Sequence, residues 1–98
     1  MISDILIAAI RAKQCVVLHY HGYTRTVEPH RYWQDDKRAD KLLCWQRSGG
    51  SKSGEPEGWK QLNVAEVHSA STSETYFASA RQSYKREDSA MRHIYAQL

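Results

Sequence analysis

The 98-residue sequence has only two cysteines, Cys15 and Cys44, and they do not form a CxxC pair. That excludes zinc ribbons and thioredoxin-type chemistry. Each lies in an apolar run, where a reduced thiol packs as a small hydrophobe, and a disulfide between strands stays open. Long apolar runs are missing too. The longest, Ile5 to Ile10, is too short to span a bilayer, and Asp4 stands before it where a leader would carry lysine or arginine. A cytoplasmic protein with no membrane partner is the expectation.

Catalytic signatures are equally scarce. No GxSxG elbow occurs. The run from Ser48 to Gly54 lacks the spaced glycines before a Lys-Ser pair that a phosphate loop needs, and it reads as a linker. His19, His21, His30, His68, Glu28 and Glu66 are the residues able to do acid–base work, yet no two have metal-ligand spacing. His19 and His21 share one strand face and lack a third ligand. The chain reads as non-enzymatic, with no cofactor and no metal.

What is present fits one soluble domain with a modest core. Hydrophobic residues make up 41% and charged residues 26%, too apolar for a disordered chain. The net charge of +3 and a pI near 9.0 permit an anionic partner.

Along the chain, Ser3 is a plausible cap for a short helix whose Ile5, Leu6, Ala9 and Ile10 repeat at helical spacing. Cys15 to Tyr20 is β-branched and aromatic, hence a strand. His21-Gly22-Tyr23 supplies a turn, and Thr24 to Glu28 returns antiparallel until Pro29 stops it. Lys41 to Gln46 is a third strand, Ser48 to Gly58 a loop, Trp59 to Val64 a fourth strand and Val67 to Ser71 a fifth. Asp88 can cap a final helix in which Ala90, Met91, Ile94, Tyr95 and Leu98 form an apolar stripe. The expected fold is mainly β (α+β): a small, SH3-like or Sm-type five-stranded barrel, with an N-terminal helix and a C-terminal helical tail. Residues 1–72 would form the barrel with its leading helix, and residues 73–98 an extension ending in the amphipathic helix.

The stretch from Arg25 to Tyr32 carries the strongest functional signal. Arg25, Arg31, Lys41 and Lys60 belong to neighbouring strands or their ends, with Tyr20, Tyr32, Trp33, Trp45 and Trp59 interleaved. Cations beside rings suit single-stranded nucleic acid or a nucleotide, with phosphates paired by arginine and bases stacked on rings. Trp45 and Trp59 also suit the core of a small domain. Glu28 has a bland role available, pairing with Arg25 or Arg31 across the bend.

Ile7-x-x-Ile10, Val16-x-Leu18-x-Tyr20, Arg25-x-Val27-x-Pro29 and Lys60 to Val67 together resemble a WYL domain, over about Ile5 to Ser71. The resemblance implies an Sm-type barrel that senses a ligand or binds nucleic acid in bacterial transcription regulation, with Tyr20, Arg25, Pro29 and His30 at the rim of its pocket. Lys41-Leu42-Leu43 stands where the family has Trp-Tyr-Leu, and Glu66 where it has a closing arginine. The expected ligand-binding set is Tyr20, Arg25, Glu28, His30, Arg31, Tyr32, Lys41 and Lys60. The partner would be a nucleotide-like or single-stranded nucleic-acid anion. The second reading is a protein-interaction or homo-oligomeric module that docks through its C-terminal helix.

Overall fold

The computed structural model describes residues 1–51, 54, 57–86 and 91–98, the side chains of Met91 and Arg92 excepted. Among the described residues the chain is mainly β, with one N-terminal helix and six antiparallel strands: α1 (Ile2–Ala12), β1 (Gln14–Tyr20), β2 (Tyr23–Asp35), β3 (Asp40–Gly49), β4 (Gly58–Asn63), β5 (Val67–Tyr76) and β6 (Met91–Gln97). A 3₁₀ turn, Val64–Glu66, joins β4 to β5.

The helix buries Leu6, Ala9 and Ile10 against the sheet. Met1 rather than Ser3 holds its N-cap position, without a side-chain bond. β1 and β2 form a tight hairpin in which Tyr20 faces Tyr23. Both turn residues have positive φ, 51° at His21 and 82° at Gly22, the geometry that matches strand twist.

β2 organises the sheet. It does not stop at Pro29 but continues to Asp35. On one edge it pairs with β3 along nearly its whole length. On the other, Tyr23 to Val27 pair with β1, and Arg31 to Asp35 pair with β6. Pro29 falls in the gap between β1 and β6, beside a bulge at His30 that offsets the β2–β3 register. A bulge flanked by an unpaired edge is where a strand tolerates a residue without an N–H. Every residue from Val27 to Trp33 is buried, because both faces of this segment are covered.

The expected five-stranded, SH3-like or Sm-type barrel does not form; the strands make an open sheet. The sheet runs β4-β3-β2-β1-β5, with β6 attached to β2, and its outer strands β4 and β5 are not hydrogen-bonded to each other. The core instead packs beneath α1, with Leu6, Ile10, Val16, Leu18, Val27, Leu42 and Leu62 at its centre.

The expected C-terminal helical tail is also absent: residues 91–97 form β6. The free second half of β2 offers a ladder, and a tertiary ladder outweighs a helical pattern in so short a segment. Between Tyr32↔Ala96 and Trp33↔Ile94 the register slips by one residue at Tyr95. Consecutive residues Tyr95 and Ala96 therefore both pack on the core. Asp88 and Ala90, expected to begin the helix, lie outside the described residues. β5 runs unbroken through residues 72 and 73, where the extension was expected to begin. Among the described residues, no helix is long and apolar enough to cross a membrane.

Candidate functional site

The expected site residues fall in three places. The first lies at the end of the hairpin. Arg25 is only 4% exposed. Its guanidinium donates to Gln46 Oε1 (3.3 Å) and to the carbonyl of Tyr20 (3.2 Å), while its Nε–H finds no partner among the described residues. No carboxylate pairs with it among the described residues. Its charge is faced instead by rings, 5.1 Å from the centroid of Tyr20 and 5.7 Å from that of Tyr23. Gln46 in turn donates to the carbonyl of Gly50 (3.1 Å), and Gly50 lies against the Tyr23 ring, which leaves no room for a side chain there.

Lys60 enters the same neighbourhood from β4, with its ammonium 3.3 Å from Ser51 Oγ. Burial pushes the Cys44 thiol pKa up to about 12, and Arg25 and Lys60 both act to lower it. Arg25 and Lys60 are thus linked through Gln46, Gly50 and Ser51 at one corner of the sheet. The residues from Lys52 to Ser53 in the glycine-rich stretch lie outside the described residues.

The second place is the opposite face of the sheet. Glu28, 3% exposed, receives a bidentate Arg81, Nε to Oε1 at 2.9 Å and Nη2 to Oε2 at 2.8 Å. Arg47 approaches the same carboxylate at 3.5 Å. The bland expectation for Glu28 is met in kind, an ion pair, but its partners are Arg81 and Arg47 rather than Arg25 or Arg31. The Glu28 hydrogen bonds also raise the pKa of Arg81.

His30 is fully buried. Its Nδ1–H donates to the carbonyl of Glu28 (2.8 Å), and its Nε2 accepts from the backbone N–H of Arg81 (3.1 Å), the neutral tautomer that uses both nitrogens. Desolvation lowers its pKa below the usual 6.5. The ring lies against Trp59, Phe77 and Tyr84. Arg31 donates to the carbonyl of Lys85 (2.9 Å) and sits 4.9 Å from the Trp33 ring centroid and 5.7 Å from that of Tyr84. Its Nε–H, too, is buried without a partner among the described residues, and no described carboxylate pairs with it. These contacts fasten residues 77–86 across the sheet as a strap. Trp45 and Trp59, weighed above as core residues, meet edge to face here and are only half-buried, with Arg81 over Trp45 at 4.6 Å.

The rest lie elsewhere. Tyr32 packs in the core under Tyr95, whose hydroxyl bonds Asp40 (2.8 Å). Lys41 bonds the side chain of Asn63, which bonds Glu66. Glu66 also pairs with His21 at 2.6 Å, and this bond chiefly lowers its pKa. The Tyr20 hydroxyl accepts the backbone N–H of Asn63 (3.1 Å). Among the described residues no three His, Cys, Asp or Glu side chains gather as a metal would require.

Arg47 and Arg81 were missed from sequence. Arg81 lies 53 residues beyond Glu28 in the chain, and no periodic signal connects them. Arg47 is the extra residue where the β2–β3 register slips between Thr26 and Val27, a bulge with no composition signature. No family model, curated protein or solved structure matches the chain.

Proposed function

We propose that this protein is a non-enzymatic cytoplasmic module that recognises a nucleotide-like or single-stranded nucleic-acid anion. The observation that carries the reading is the state of Arg25: a buried guanidinium with an unpartnered Nε–H and no described carboxylate to balance it. A buried charge without a counter-charge is costly, and a ligand phosphate would supply one. Lys60, whose ammonium lies beside Ser51, adds a second cation, and Tyr23, more than a third exposed, adds a ring on which a base can stack. The likeness of Arg25-x-Val27-x-Pro29 to a WYL-domain strand points the same way. Entry would require Gly50 to move off the Tyr23 ring.

Fluorescence anisotropy of a labelled single-stranded oligonucleotide at low and moderate salt tests this. Binding that weakens with salt and is lost on Arg25→Ala supports it. No binding at either salt, or binding that Arg25→Ala leaves intact, overturns it.

A further inference from the structure

On the far side of the sheet, between the strap and the Arg47 bulge, lies an open groove of about 660 Å³. Its walls include Glu28, Arg47, Tyr76 and the strap from Phe77 to Gln82. The volume is that of a small-molecule site. We propose that this groove binds the phosphate group of a small phosphorylated molecule, separately from the Arg25 corner.

The charge arrangement supports this. Glu28 spends both carboxylate oxygens on Arg81. Arg47 is left with a 3.5 Å approach to Glu28 through Nε and a bond from Nη1 to the Cys15 sulfur, a weak acceptor. Its Nη2 has no partner among the described residues. Two guanidinium groups thus face one buried carboxylate, a surplus of one positive charge at the groove. Among the described residues the other acid acting on Arg81 is Glu57, which is exposed and forms no ion pair with it, so solvent screens its effect.

The strap supplies further donors. The backbone N–H groups of Ala78, Ser79 and Ala80 donate to no other described residue. The Arg81 N–H, by contrast, is taken by His30. Small side chains at 78–80 leave that backbone open to the groove. Donors from two separate elements, a guanidinium on β3 and amides on the strap, suit a tetrahedral oxyanion, which offers several oxygens in different directions. The bulge aims Arg47 there. An extra residue in a strand redirects its side chain away from the regular pleat.

The test is an amide and arginine-Nε NMR titration of the full chain with inorganic phosphate, against sodium chloride at matched ionic strength. Saturable shifts are expected at Ala78 to Gln82 and at the Arg47 Nε, and Arg47→Gln is expected to weaken binding at least about tenfold, the loss of one charge-assisted contact. Arg47 is largely at the surface, with a side chain 38% exposed, and the dispersion of the variant's spectrum reports its folding directly. Should Arg47→Gln lose dispersion, Arg47→Lys serves instead, keeping the charge but not the fork, and is expected to weaken binding by a smaller factor. Shifts confined to Tyr20, Arg25 and Gln46 would overturn the groove assignment while favouring the Arg25 corner. Absence of saturable shifts, shifts matched by chloride, or binding unchanged by both variants would also overturn it.

Discussion

The carboxylate of Glu28 and the guanidinium of Arg81 meet through two parallel hydrogen bonds of 2.9 and 2.8 Å, although 53 residues separate them in the chain. The pair ties the strap to the central strand. It also neutralises a buried carboxylate that would otherwise keep only the 3.5 Å approach of Arg47. Arg81→Ala removes both effects at once. Breaking a fully buried pair costs about 3 to 5 kcal/mol. The Arg81 side chain is 40% exposed and Arg47 remains near, so about 2 kcal/mol is expected here. For a domain of this size that lowers Tm by roughly 8 °C or more. A thermal melt of Arg81→Ala that overlays the parent would show the strap is not held this way.

His30 gives stability a pH dependence with a definite sign. Burial lowers its folded-state pKa below 6.5, so between the folded and unfolded values the unfolded chain binds more protons. Stability is therefore full above about pH 6.5 and lost as pH falls below it toward the folded pKa. Protonation would also set a second N–H against the Arg81 N–H. Urea midpoints at about pH 7.5 and about pH 5.5 should drop more for the parent than for His30→Gln. Equal drops would assign the loss to other groups.

How much of this was legible in the sequence depends on whether the signal was local. The β1–β2 hairpin could be read from Cys15 to Glu28, because alternation and the His21-Gly22 turn are short-range features. The continuation of β2 past Pro29 was not. It depends on β1 ending and β6 beginning on the same edge, a relationship set by partners 56 to 66 residues apart in the chain. The C-terminal strand was misread as a helix because its bulge at Tyr95 breaks period-two alternation and leaves apolar residues spaced as in a helix. The barrel was inferred from strand number and hairpin-type connections, which do not say whether β4 and β5 meet. The candidate residues were read as one surface, but β2 sends them to both faces: Arg25 turns toward the core, while Glu28 and His30 meet the strap. Arg25 could be singled out by its strand pattern, but its lack of a carboxylate partner appears only in three dimensions.

Cys44 is buried and its thiol is pushed up to about 12, so the thiolate that reacts with alkylating agents is almost absent in the folded state. Cys15 is buried as well, beneath Arg47. Both cysteines should resist an alkylating or disulfide-exchange reagent near pH 8 until the chain opens, and label fully in denaturant. Mass spectrometry after a short pulse reads this. Rapid labelling of Cys44 in the native state would contradict the packing.

Removing residues 91–98 would strip β6 from β2, taking away Tyr95, Ala96 and Leu98, which pack on the core. It would also expose the second half of β2 as an unpaired edge, a template for association. The truncated chain should be unfolded or self-associated by circular dichroism and light scattering. A stable monomer with the parent's melting point would show that β6 is dispensable.

The central claim is that Arg25 is kept buried and unbalanced for a ligand anion. Arg25→Met tests it most directly, since it removes the charge but keeps the length and apolar packing of the side chain. Folding stability and affinity for a labelled mononucleotide should be measured on the same preparation. Stability is predicted to stay within about 1 kcal/mol, because losing two neutral acceptors' donor is offset by removing an uncompensated charge. Affinity is predicted to fall by about tenfold or more, the loss of one charge-assisted hydrogen bond. A folded variant that binds like the parent, or one that fails to fold, would contradict the account, the first by making Arg25 irrelevant to the ligand and the second by making it a structural residue.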